Sequence, residues 1–177
     1  MYEAKDVAKW LLSEAKQQNI AMTHMKLQKL LYYVQAYHIG MTGEPLFSSD
    51  IEAWPHGPIV PDVYAIYSKY GSSEISEADD ITPPDDIRSL IISVFHDKGG
   101  YTAYQLSNMT HNENSWREAI NSASKKITSD MINKEFTPEF WASDEEDEFQ
   151  PSFETEEEEK KYFLNNITDE ERNAIFA

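Results

Sequence analysis

The chain contains no cysteine, which removes disulfides, thiolate metal sites and thiol nucleophiles together and suits a reducing compartment. No run of about 18 consecutive apolar residues is present to span a bilayer, and the N-terminal MYEAKDVAKWLL mixes charges into its apolar positions instead of forming a signal-peptide core. The expectation is a soluble, cytoplasmic protein with no membrane partner. Positive charge is also scarce: 15 basic residues face 32 acidic ones, a formal net charge of -17. Nucleic-acid affinity is built mainly from basic contacts that release counterions. Direct nucleic-acid binding is therefore not expected, and a basic protein partner is the more natural one. The six glycines are scattered among turns and helix ends, so no glycine-rich phosphate cradle is encoded.

Against these absences stand a 40% hydrophobic share and a 12% aromatic one across 177 residues, enough apolar surface for one substantial core. The charge is unevenly placed. Residues 139–177 carry 14 acids against Lys160, Lys161 and Arg172, a net of -11, which leaves -6 for residues 1–138. The reading is a helical domain over 1–138 and an acidic, aromatic-containing extension over 139–177. A run of like charge is ordinarily solvated. The rings set into this one, Trp141, Phe149, Phe153, Tyr162 and Phe163, offer buried area while the carboxylates steer encounter with a basic groove.

Apolar periodicity predicts a first helix within Tyr2 to Asn19, with Val7, Trp10, Leu11 and Ala15 on one face. Thr23 is placed to cap a second, in which Leu27, Leu30, Leu31, Val34, His38 and Met41 continue the 3.6-residue period until Gly40, Gly43 and Pro45. Tyr32, Tyr33 and Tyr37 widen its apolar surface, so this helix should be central. Ile51 to Trp54 reads as a brief extended segment, since the residue before a proline is pushed away from helix, and the chain turns at His56-Gly57-Pro58. Pro61 suits the first turn of a helix whose missing N–H costs nothing. Ser72 to Asp86, acidic and carrying Pro83-Pro84, reads as a surface loop before a helix through Ile87, Leu90, Ile91, Val94 and Phe95. Thr102 with Gln105, and Ser115 with Glu118, match the capping box in which each partner satisfies the other's backbone donor. Thr128 or Ser129 should cap a last short helix through Ile132. The fold class is mainly α: a compact helical domain with a short extended or β segment near residues 50–55 and an acidic C-terminal extension.

For chemistry, the five histidines are the obvious groups, yet none forms a zinc-protease pair, a Walker loop or a nucleophile elbow. His111-Asn-Glu113 is the best local metal-like cluster, but two ligands in a loop fit a polar connecting turn better. His38 falls on the apolar stripe, where a satisfied core histidine is the ordinary reading. No catalytic, cofactor-binding or metal-binding residue is nominated, and enzymatic activity is not expected.

Two blocks, MKLQKLLYYVQAYHIGMTGEPLF and IEAWPHGPIVPDVY, with the later YQLSNMTHNENSWREA, resemble the SocA-like antitoxins, whose module is the Panacea domain and which were earlier described as phage-associated proteins similar to GepA. The likeness runs from about Tyr2 to Trp116 and leaves the acidic end uncovered. It rests on Lys26, Leu27, Leu30, Leu31 and Tyr32 in the first block, and on Trp54, Gly57, Pro58, Pro61 and Tyr64 in the second. These read as framework. The resemblance implies an almost all-helical antitoxin that binds and neutralises a cognate toxin protein, encoded by an adjacent gene and basic if the acidic extension covers it. No cofactor is implied. His56 in the turn and, in the extension, Trp141, Phe149, Phe153, Tyr162 and Phe163 are the candidate partner contacts. The alternatives are a proteolytic adaptor that hands the toxin to a protease, and a phage-derived metal-dependent enzyme using His111 and Glu113.

Overall fold

The computed structural model describes residues 1–137, and over them the chain is mainly helical. In order come α1 (Ala4–Gln17), α2 (His24–Thr42), β1 (Ile51–Trp54), β2 (Gly57–Ile59), α3 (Pro61–Tyr67), a single 3-10 turn over Ser68–Tyr70, α4 (Asp85–Lys98), α5 (Ala103–Asn112), α6 (Asn114–Ile120), β3 (Lys126–Ile127) and α7 (Ser129–Glu135). Among the described residues no helix is long and apolar enough to cross a membrane.

Helix α2 is the hub. Thr23 caps it as its spacing predicts, its hydroxyl accepting from the Lys26 amide. Every residue from His24 to Tyr37 is buried, the signature of a helix covered on all sides, and α1, α3, α4, α5, α7 and β2 all pack on it. The polar groups this burial traps are put to use on neighbouring backbone. Lys26 Nζ donates to Gly99 O at the end of α4 (2.8 Å), and Gln35 takes the amides of Leu46 and Phe47 while donating to Phe47 O. A buried polar group without such partners would cost on the order of 1–3 kcal/mol.

The apolar stripe stops at Ile39, earlier than the periodicity suggests. Met41 is 60% exposed, and His38 is not a core histidine: it is half-exposed, with Nδ1 2.7 Å from Glu44 O. The helix outruns the elements that cover it and ends at Gly43, a left-handed C-cap, so Gly40 does not terminate it. Gly40 has another role. A Cβ there would lie 2.3 Å from Phe136 O, so its hydrogen lets the segment after α7 close against α2.

The extended piece at 51–54 is the centre of a three-stranded antiparallel sheet ordered β2-β1-β3, with Glu52 opposite Ile59, Trp54 opposite Gly57 and Ile51 opposite Ile127. The third strand is two residues long and left no period-2 signal. Pro61 opens α3 as expected. The acidic loop after Tyr70 is tied down, since Ile75 is buried and its amide donates to Met22 O (2.8 Å).

Thr102 and Gln105 form the full capping box of α5, and Thr128 caps α7. Ser115 and Glu118 do not form one. Ser115 sits inside α6 with its hydroxyl turned inward to Tyr32 OH (2.8 Å), and the first amides of α6, at Asn114 and Ser115, donate to the Glu135 carboxylate from α7, both at 2.8 Å. A carboxylate reaching across tertiary structure meets the positive end of that helix better than a local side chain already engaged elsewhere.

Candidate functional site

Trp54-Pro55-His56-Gly57-Pro58 joins β1 to β2, with Pro55 exposed and His56 half-buried at the tip. Three prolines and a glycine within 54–61 limit its conformations, yet the shape is settled by partners from three helices. Trp116 Nε1 on α6 donates to Trp54 O (3.0 Å). Ser107 Oγ on α5 donates to His56 O (2.6 Å). Lys29 Nζ on α2 donates to Pro58 O (3.0 Å). One residue beyond the turn, the Val60 amide donates to Gln28 Oε1 (2.7 Å). Every second carbonyl of the turn is thus held from below.

Gly57 makes this possible. Its φ of +102° is open chiefly to glycine, and a Cβ there would stand 2.7 Å from Thr110 Oγ1, 2.9 Å from Lys29 Nζ and 3.0 Å from Lys29 Cε. The turn lies directly on the lysine.

Rings surround it. Trp54 packs on Tyr64 of α3, centroids 5.0 Å apart, and Tyr64 meets His24 edge-on at 5.0 Å. His111 lies against Trp116 at 4.2 Å. The Trp54 indole N–H donates to Glu52 (2.8 Å), so the outward face of β1 pairs a ring with a carboxylate.

Beneath the turn the electrostatics are unusual for a protein interior. Lys29 is fully buried, and burial lowers its pKa to about 7. His24 is pushed down to about 4, first by burial and then by the Lys29 charge. His111 is likewise brought to about 4 by burial, with Lys29 and His56 adding to the push. Desolvation penalises the charged form of each base, so both histidines are neutral at pH 7.

A second buried network lies alongside. The Glu113 carboxylate accepts from Tyr33 OH (2.8 Å) and from Tyr32 OH, which also meets Ser115. Burial raises Glu113 to about 7 against the opposing effect of the two tyrosines, and burial with the Glu113 charge drives both phenols well above their ordinary range. His111 and Glu113 therefore face different partners and do not form a ligand pair. Among the described residues no group of three or more His, Cys, Asp or Glu side chains is arranged to hold a metal ion.

The framework residues of the sequence reading fall into two sets. Lys26, Leu27, Leu30, Leu31 and Tyr32 line buried α2, whereas Trp54, Gly57, Pro58, Pro61 and Tyr64 build the turn and the start of α3. His56 is at the turn's tip. Trp141, Phe149, Phe153, Tyr162 and Phe163 lie outside the described residues. Sequence reasoning missed Lys29, Gln28, Ser107 and Glu135. The first two carried a readable sign: polar side chains inside a segment whose other faces are all apolar or aromatic.

Residues 27–117, from the first turn of α2 into α6, match a family model described as antitoxin SocA-like, Panacea domain. A relative described as Antitoxin SocA, from Caulobacter vibrioides (strain NA1000 / CB15N), is 37% identical over 73 residues. That stretch is 41% of this chain and 39% of the relative, so the chain spans well under half of that protein. No solved structure matches.

Proposed function

Because the chain belongs to the family of SocA-like antitoxins that carry the Panacea domain, we propose that it is the antitoxin half of a toxin–antitoxin pair and neutralises a cognate protein toxin by direct binding. The observation that carries this reading is the span of the family match: residues 27–117 hold both α2 and the Trp54–Pro58 turn that α2 supports from below. A turn held rigid from three helices and tipped by half-buried and exposed groups suits recognition, since a preorganised surface loses little freedom on binding. Nothing in that role needs a catalytic residue.

The contact surface in this reading has two parts. One is the turn itself, with His56 and Pro55 at its tip and the rings of Trp54 and Tyr64 beside it. The other is the extension at 139–177, whose net charge of -11 complements a basic cleft and whose Trp141, Phe149, Phe153, Tyr162 and Phe163 supply apolar anchors. The boundary near residue 138 separates the folded module from this second part. The toxin is the product of an adjacent gene and is basic.

The test is growth of cells expressing the adjacent reading frame from an inducible promoter, with and without this chain, followed by co-purification. Growth arrest relieved by this chain within a stable complex supports the reading. A harmless neighbour, or relief without any complex, counts against neutralisation by direct binding.

A further inference from the structure

Lys29 is an expensive residue for its position. Its side chain is fully buried, and Pro58 O at 3.0 Å is its acceptor in the turn. A methionine of nearly the same length would fill that space without the cost of desolvating an amine, which runs to several kcal/mol when the group stays charged. Stability therefore does not account for the lysine. What a methionine would lose is the tether to the turn: Pro58 O would be left without its donor, beside a glycine at which a Cβ would stand 2.9 Å from the amine.

We infer that Lys29 is a positioning residue for partner recognition, holding the Trp54–Pro58 turn from inside the fold in the shape that the toxin meets. This rests on the antitoxin reading above and goes beyond it, since Lys29 itself touches no partner. Three further tethers are neutral hydrogen bonds, from Trp116, Ser107 and the Val60 amide, and His111 adds one to the Pro55 backbone. Among the described residues the Lys29 tether is the one whose strength the proton sets near neutral pH, because a cationic donor makes a hydrogen bond roughly twice as strong as a neutral one, whereas His111 changes charge only near pH 4.

The titratable groups that feel its charge are His24 on α2 and His111 on α5, and His56, at the tip of the turn, acts on His111; the Thr110 hydroxyl lies with Lys29 against Gly57. His24 and His111 have shed their protons above about pH 4, whereas Lys29 changes charge near 7. The turn is accordingly held more tightly at pH 6 than at pH 8. Glu113 changes charge in the same range but through Tyr32 and Tyr33, and it is present in every variant used below.

The test uses the full chain with Lys29→Met and two measurements. Without partner, the indole N–H signals of Trp54 and Trp116 in two-dimensional NMR report the turn directly, since one is bonded to Glu52 and the other to Trp54 O. With the purified product of the adjacent reading frame, the dissociation rate is measured at pH 6 and pH 8. The expected result is a folded K29M chain with a melting temperature at or above that of the parent. Its Trp116 signal should be displaced and exchange faster, its dissociation should be at least tenfold faster, and the parent's acceleration between pH 6 and pH 8 should vanish. An unchanged Trp116 signal in K29M, or dissociation within twofold of the parent with the same pH step, overturns the inference. Should K29M not fold, Lys29→Arg retains a cationic donor: parent-like affinity with a parent-like turn spectrum supports the role, and lost affinity with that same spectrum overturns it. Failure of the antitoxin reading looks different, because the parent chain itself then neither binds nor protects, while the NMR comparison still shows whether Lys29 holds the turn.

Discussion

Gly57 carries two constraints at one residue: a left-handed φ of +102° and an approach to Lys29 and Thr110 too close for any Cβ. Gly57→Ala meets both, and urea denaturation should show a loss of roughly 2–4 kcal/mol. Among ionisable side chains, His24 and His111 make the fold sensitive to acid. Each has a folded pKa of about 4, below the ordinary 6.5, so the unfolded chain takes up protons first as pH falls. Their contribution is fully present above pH 6.5 and is lost between there and about 4. For His24 alone the loss at pH 4 is on the order of 3 kcal/mol. Glu113 works in the other direction. Its folded pKa is raised from 4.5 to about 7, so its contribution is present below 4.5 and declines as pH rises through 7. Denaturation midpoints between pH 7 and 4.5 should therefore fall on acidification, and in His24→Phe that slope should flatten; an identical slope would remove His24 as a cause.

At the scale of elements, α6 shows how a local motif and a tertiary contact compete. Ser115-Trp-Arg-Glu118 has the spacing of a capping box, yet the helix begins at Asn114, two residues before such a box would start it, and its open amides go to Glu135. Glu135→Ala should cost about 1–2 kcal/mol, the ordinary worth of a helix cap, and Glu118→Ala less than about 0.5, as expected of an exposed position away from such features. Equal losses in the two variants would restore the local box. Helix α2 shows the opposite case, in which a local signal and the tertiary environment agree. Its Thr23 cap and its leucine spacing both mark a helix, and its tyrosines supply further apolar surface for neighbours on every side. The same helix sends polar side chains to Phe47, Pro58 and Gly99, so it organises the backbone of three other segments as well as the core.

For the molecule as a whole the governing quantity is charge. With -6 on residues 1–138 and -11 on 139–177, a basic toxin of the kind proposed would be drawn in by long-range attraction, most of it from the extension. Charge reversal of the acids between Asp144 and Glu159 should slow association with the adjacent gene's product by tenfold or more at low salt. It should also flatten the dependence on ionic strength, while changing dissociation much less. Stopped-flow measurements at two salt concentrations separate these terms. Association unaltered by the reversal would leave the turn as the whole of the contact surface.

The family, the mainly helical class and the placement of α1 through α5 were legible in the residues, because each depends on signals carried within a few positions: apolar spacing, a capping hydroxyl, a proline at a helix start. The bent Trp54–Pro58 segment was legible as a turn for the same reason. Its supports were not. That Lys29 rather than Lys26 lies beneath Gly57, that Ser107 and Trp116 take the carbonyls of His56 and Trp54, and that Glu135 caps α6 all follow from contacts between residues 20 to 62 positions apart. So does the burial that leaves both Lys29 and Glu113, in separate networks, titrating near 7. Local preference decides which segments become helices; only the packed fold decides which polar groups lose water, and that loss sets their partners and their charge.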